Sequence, residues 1–410
     1  MNKSIFHSPL YILFPFLFLE ALFPDSQLKF LIRLPMYSFL VFVPLYYKSF
    51  FKNTNSKVAA TIILLLFYYG IFLIFRSLLY DDNKAVFGNP ITTLFGNTQV
   101  GAIVFLLPLI VVFSMRKEIL NELYEILKII LAISIFVSIY KIIIFDIYSF
   151  NFLLILQCIS FLYLYFPYIK NKRFLNLIIF GTALMLILLY INGERALFLS
   201  ILFSVLSFLI VKFIKSKSII KLYVTLLIVV SCLILIYGLY YKVSIFEVIK
   251  LYFSDDNDIA VDSRTFLYFE FSEDFFRHNS WLFGKGILGS YYSETMDIAM
   301  SNGEYSDFKN RIGIETGFLQ YILKGGLLYL ISYMLLLIFA IFNALKYSKN
   351  DFLKIAALIL AGRFFISTIS EYPCFDLKNI VVWILIGLCI NKKTLNLSND
   401  DVKKIIYNEK

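Results

Sequence analysis

The feature that most constrains this chain is a series of about twelve apolar runs, each near the length of a bilayer crossing, separated by polar links. Crossing the hydrocarbon takes about 20 mostly apolar residues in helical form. The runs fall at roughly 8–24, 28–47, 58–79, 98–114, 124–145, 150–169, 174–192, 195–213, 219–241, 313–345, 352–370 and 377–391, by the same length criterion. One soluble core cannot bury that much apolar sequence, and 60% of all 410 residues are hydrophobic. The expectation is an all-α polytopic membrane protein. The run at 313–345 is long for one crossing and carries Glu315, Lys324 and the pair Gly325-Gly326 near its start.

Basic residues in short loops collect on the cytoplasmic side of a membrane, so their distribution tests the count. With the N-terminus inside, the inside links hold Lys48, Lys52 and Lys57; Arg116, Lys117 and Lys128; Lys170, Lys172 and Arg173; Lys212, Lys215, Lys217 and Lys221; Lys346, Lys349 and Lys354. The C-terminal end adds Lys392, Lys393, Lys403, Lys404 and Lys410, whereas the short outside links hold Lys29, Lys84, Arg195 and Lys378. A missed or invented crossing would break this alternation. It predicts twelve crossings with both termini in the cytoplasm, a retained first span, a single integral membrane domain over 1–410, and a cytoplasmic tail at 392–410. The formal net charge of +10 therefore reports topology and not a nucleic-acid partner.

One outside link is long. Residues 242–312 form an embedded external loop that contains "DSRTFLYFEFSEDFFRHNSWLFGKGILGSYY", where charges, aromatics and glycines crowd together. Loops of this length inside a compact chain are usually functional. Leu267, Phe271 and Phe275 recur at helical spacing and Glu273 precedes Arg277 by four, which predicts a short amphipathic helix over about 263–278. Such a helix either plugs the outer face of the bundle or carries function. The neighbouring charges are Arg264, Arg277, Lys285, Lys309 and Arg311 against Asp262, Glu270, Glu273, Asp274 and Glu315. Arginine's planar fork suits a bidentate grip on phosphate oxygens, although a solvated mix of ion pairs would use the same residue types.

Arg33, Arg76 and Arg363 lie in or beside apolar runs. Arg33 and Arg76 are placed to snorkel to the outer interface, whereas Arg363 reaches Glu371 only if its helix bends and otherwise faces a cavity. "LFGKGILG" at 282–289 lacks the full phosphate-loop pattern, and a turn whose backbone passes close to something fits it better. Cys158, Cys232, Cys374 and Cys389 are scattered core thiols, and with only His7 and His278 present a histidine-rich metal site is excluded. A carboxylate site for Mg or Mn stays open as an alternative that no spacing supports, so the expectation is no metal and no other cofactor.

Four stretches together resemble the integral-membrane O-antigen polymerases and ligases of bacterial polysaccharide assembly, of the Wzy and WaaL type. "NGERALFLS" is similar to that family's arginine turn and places Arg195 there. "DSRTFLYFEF" resembles its loop-helix start at Arg264, and "NSWLFGKGILG" its Leu-Phe-Gly-x-Gly turn. "ETGFLQYILKGGLLYL" resembles the segment that re-enters the membrane, with Leu319 and Gly326 at the family's spacing. Ligases of that family carry a His four residues before the equivalent of Leu319, where this chain has Glu315, which favours the polymerase branch.

The resemblance implies a GT-C-like glycosyltransferase architecture in the bacterial inner membrane, with 242–312 in the periplasm. It implies metal-independent transfer of a glycan from an undecaprenyl-diphosphate carrier to a hydroxyl of the next lipid-linked repeat unit. Arg264 would stabilise the leaving diphosphate, assisted by Arg195 and Arg311, with Arg277, Lys285 and Arg363 as further substrate-binding cations. Glu315 would be the general base, or a structural partner of Arg311. The implied partners are the lipid-linked donor and acceptor, membrane lipids and a chain-length regulator protein, with no nucleic acid. A ligase that moves polymer onto a lipid A core is the alternative enzyme, and a polysaccharide flippase the alternative from another class.

Overall fold

In the computed structural model, residues 9–22, 33–79, 90–144, 157–244, 265–277, 280–295, 297 and 310–407 are described, and they are mostly helical. The principal helices are α1 (Pro9–Leu22), α2 (Phe39–Asn53), α3 (Lys57–Leu79), α4 (Ile119–Ile144), α5 (Lys172–Ile191) and α6 (Arg195–Phe213). They continue as α7 (Lys217–Tyr241), α8 (Thr265–Arg277), α9 (Gly317–Tyr347), α10 (Asp351–Ile369), α11 (Leu377–Ile390) and α12 (Asn399–Tyr407). Polar caps set several starts. Asn171 accepts from the Arg173 and Phe174 amides before α5, Asn350 from Leu353 before α10, and Asp376 from Asn379 before α11.

Among the described residues, seven helices are long and apolar enough to cross a membrane: α3, α4, α5, α6, α7, α9 and α10. The other five apolar runs are shorter or broken. Helices α1 and α2 have 14 and 15 residues and contain Pro15 and Pro44, whose missing N–H and ring clash interrupt helical hydrogen bonding. The run at 98–114 is a short helix, Ala102–Phe105, followed by a 3-10 segment, Leu107–Met115, opened by Pro108. Within 150–169, the described residues form 3-10 turns at Gln157–Leu164 and Phe166–Tyr168. Helix α11 has 14 residues.

The most enclosed elements lie at the centre. In α10, 78% of the apolar window is buried within the protein, against 28% in α7, so α10 is a core helix and α7 turns most of its surface outward. Every residue of α11 except Asn379 is buried. Helices α6, α7, α9 and α11 and the 3-10 segment Gln157–Leu164 pack around α10. The outward faces of α3 and α7 carry large exposed apolar side chains, as expected of surfaces that meet lipid.

The links between helices sort into two sets, each tied to itself. At one end Thr54 bridges Asn391, Asn391 donates to the Ser114 carbonyl, Asn55 donates to Asn343, and Asn350 donates to the Thr394 and Leu397 carbonyls. Tyr168 donates to Asn399 at the same end and so holds α12. At the other end Thr98 donates to Glu20, Phe375 donates to the Thr98 carbonyl, and Tyr268 donates to the Thr368 carbonyl. The Lys- and Arg-rich links belong to the first set, and the charged loop and the start of α9 to the second.

Arg33 and Arg76 do more than snorkel. The Arg33 guanidinium is paired with Glu20 at 2.7 Å and donates to the Gly96 carbonyl. Arg76 Nε donates to the Gly284 carbonyl at 3.0 Å.

Candidate functional site

The expected loop helix is α8. Its apolar face, Leu267, Phe271 and Phe275, is buried, and Tyr268 anchors it to α10 through the Thr368 carbonyl. Helix α8 therefore caps the end of the bundle at which α10 finishes. On its polar side Glu273 pairs with Arg277 at 3.1 Å and also with Lys242, which together hold that carboxyl below its usual range, the Lys242 bond contributing most.

After α8 the chain turns through the glycine-rich stretch and locks into a break in α9. Gly326 has φ 68° within an otherwise helical run, and Gly284 has φ 67°. Both need glycine, because a Cβ at Gly326 would lie 2.2 Å from the Leu282 carbonyl oxygen and one at Gly284 2.3 Å from that of Lys324. The Lys285 and Gly286 amides donate to the Leu323 and Lys324 carbonyls at 2.8 and 2.9 Å, and the Leu327 amide donates to Trp281 at 2.8 Å. Lys324 Nζ, fully buried, donates to the Gly289 carbonyl at 2.7 Å. The glycines thus let two backbones meet, and the stretch docks the loop onto α9.

Lys285 pairs with Asp274 of α8 and donates to the Ser290 carbonyl. That brings the next residues into a two-residue antiparallel ribbon, in which Tyr291 faces Arg311 and Tyr292 faces Asn310. Arg311 lies 5.3 Å over the Phe266 ring and donates from Nη2 to Glu315 at 3.4 Å. Glu315 is the more open partner, its side chain 56% exposed. Glu270 accepts from the Thr295 amide and hydroxyl through Oε1. Three buried polar atoms in this group, Glu270 Oε2, the Tyr291 hydroxyl and Arg311 Nη1, make no hydrogen bond of ordinary geometry among the described residues.

Arg311, Glu270 and Glu315 all act electrostatically on Tyr291, and burial pushes its phenol pKa up, so it stays a proton donor at neutral pH. Tyr372 closes the group from the α10–α11 link. Gly313 lies against its ring, Glu315 and Arg311 act on it, and burial raises its pKa too.

Immediately behind Tyr372 is a second, enclosed charge group. Helix α10 ends at Ile369, Ser370 is extended, and Glu371 takes a left-handed φ of 70°. That reversal returns the Glu371 carboxylate to Arg363, to which it is paired, and to Lys378 Nζ at 3.3 Å. The Arg363 guanidinium also lies 5.7 Å over Phe161. The pairing expected only from a bent helix is reached because the helix stops, and Arg363 sits in a side-chain ion pair rather than facing an open cavity. The two groups share a wall: the Gly317 amide donates to the Ser370 carbonyl, and Gly317 packs on the Glu371 carbonyl.

The sequence-predicted residues thus separate. Arg311 and Glu315 meet at the outer group. Arg277 and Lys285 pair with α8 carboxylates. Arg363 lies in the enclosed group. Arg195 opens α6 and is exposed at the same end of the bundle: Phe203 of α6 packs on Gly362 and Phe365 of α10, and helix rise carries Arg195 ~12 Å further outward, level with the α10–α11 link. Arg264, His278 and Lys309 lie outside the described residues. Tyr291 and Tyr372 were not singled out from the sequence, and Lys378 entered only as the cation of a short link. The one available signal was the polar stretch "EYPCFDLK" between two apolar runs. Among the described residues, no group of three or more His, Cys, Asp or Glu side chains forms a metal-holding cluster.

The fold and this site define a helical multi-pass membrane protein with a charged, aromatic-lined group at one end. A family model described as O-Antigen ligase matches residues 180–334. That stretch runs from the middle of α5 through α8 and the glycine turn to the membrane part of α9, and it contains Arg195, Arg264, Arg311 and Glu315. No curated protein and no solved structure matches the chain.

Proposed function

We propose that this protein is an O-antigen-type polysaccharide polymerase, a membrane glycosyltransferase that joins undecaprenyl-diphosphate-linked repeat units at the periplasmic face of the bacterial inner membrane. The observation that carries the reading is the coincidence of the matched stretch with the outer charge group. The reading includes twelve crossings in a GT-C-like arrangement with both termini in the cytoplasm; the sorting of links into two ends and the gathering of basic residues in one set favour it.

In the proposed reaction the acceptor sugar hydroxyl attacks the anomeric carbon of the donor. The bond from that carbon to the carrier's diphosphate oxygen breaks, and undecaprenyl diphosphate leaves with the electron pair. Glu315 accepts the hydroxyl proton, for which its open carboxylate is suited. Arg311 stands beside it, and with Arg264 and Arg195 it offsets the charge that grows on the diphosphate. Arg277, Lys285 and Arg363 all have carboxylate partners, so in this reading they shape the site more than they grip the substrate.

The description of the matching family favours a second reading, an O-antigen ligase that transfers finished polymer. It would use the same donor chemistry on a different acceptor. Expressing Arg264→Ala in a strain lacking the gene tests the shared chemistry. Normal membrane accumulation with loss of transfer is expected, and wild-type product from the variant would remove Arg264 from the mechanism.

A further inference from the structure

The glycine turn carries three consecutive apolar side chains, Trp281, Leu282 and Phe283, all exposed, Trp281 at 46% and Phe283 at 44%. A water-facing loop gains nothing from such a run. Their surroundings show what covers them. Phe283 packs edge-on to Phe72 of α3 at 6.5 Å, and its carbonyl accepts from the Tyr69 hydroxyl. The Leu282 carbonyl accepts from the Leu328 amide of α9. On α3 the exposed residues Leu65, Tyr68, Phe72 and Phe75 lie on one helical face, and on α9 Leu328, Ile331 and Leu335 do the same. Both are outward strips of crossing helices, and they converge on the turn.

The depth is fixed independently by the break in α9. The roughly 20 residues beyond Gly326 rise ~30 Å, a full hydrocarbon thickness, so Gly326 marks the outer boundary and the residues before it stand above. The turn is hydrogen-bonded across that break, and Arg76, whose guanidinium holds the Gly284 carbonyl, sits at the matching level of α3. An amphipathic indole at this depth meets the headgroup–acyl boundary.

We propose that Trp281, Leu282 and Phe283 form a membrane-interface anchor, continuous with the lipid-facing strips of α3 and α9, that inserts the external loop into the outer leaflet. The occupant of this surface is bulk phospholipid. The anchor fixes the height of the Arg311–Glu315 group above the membrane through the turn and the ribbon that follows it. The inference stands on placement alone and does not depend on the catalytic reading.

The chain holds two tryptophans, Trp281 and Trp383, and Trp383 is buried against Tyr333. In a Trp383→Phe variant reconstituted into phospholipid vesicles, Trp281 is the only indole. Phospholipids brominated high on the acyl chain are expected to quench its emission strongly and those brominated near the methyl end less, with a blue-shifted maximum. Quenching by aqueous iodide without quenching by bromolipid would overturn the proposal, as would insensitivity to both, which would mean that protein covers the patch. Should Trp383→Phe fail to fold, the wild type and Trp281→Phe are compared, and the bromolipid-sensitive emission must disappear with Trp281.

Discussion

Glu315 and Arg311 lie one helical turn apart in sequence and 3.4 Å apart in space, yet they are placed differently. Arg311 is fixed by the ribbon, by the Phe266 ring and by Glu315, whereas the Glu315 carboxylate is open and can approach a second group. An exposed ion pair of this kind contributes at most ~1 kcal/mol to stability, so it is poorly explained as a structural device. Glu315→Gln should therefore leave thermal stability nearly unchanged and slow glycosyl transfer by about 10²–10⁴-fold, the range for loss of a general base. Initial rates on lipid-linked oligosaccharide would measure this, and near-normal turnover would leave Glu315 with only the Arg311 contact. Arg311 and Glu315 were legible because their charges stand out in an apolar chain. Tyr291 and Tyr372 were not, because two phenols among 29 tyrosines carry no signal until the fold buries them beside that pair.

At the scale of elements, the junction between the glycine turn and α9 and the reversal after α10 hold the site. Gly326→Ala would force a Cβ into a left-handed position, costing roughly 1–2 kcal/mol from backbone alone, before the clash with the Leu282 carbonyl is counted. Its unfolding temperature in detergent should fall, with the loop becoming more open to protease than the rest of the chain. In the enclosed group, Glu371→Gln removes the ion-pair partner of Arg363 and Lys378 and leaves them only the attraction of Asp376, and removal of one partner from a buried pair costs about 3–5 kcal/mol. Adding Arg363→Met should recover part of that loss. Additive losses in the double variant would show that the pair is not coupled.

The apolar runs announced the helices, because length and hydropathy are local properties. The shortening or interruption of five of them was less legible: Pro15, Pro44 and Pro108 are local signals, but packing decides whether a proline becomes a tolerated kink, a 3-10 segment or an end. The Arg363–Glu371 pair shows the same limit, since it depends on Glu371 adopting a left-handed backbone that no spacing rule anticipates.

At the scale of the whole molecule, the basic links gather at one end and the charged loop, the start of α9 and the α10–α11 reversal at the other. The proposed transfer from a lipid-linked donor at the membrane surface would use this polarity: an apolar bundle, the proposed interface-level turn, and cations with a carboxylate just above it. The central claim is that the reaction joins repeat units. The most direct test is to delete the gene in its host and resolve the surface polysaccharide by gel electrophoresis. A single repeat unit on the anchor with the ladder gone is the expected result, because units would still be made, flipped and attached but not joined. An anchor bare of any repeat unit would contradict the polymerase account and turn the assignment to attachment or export.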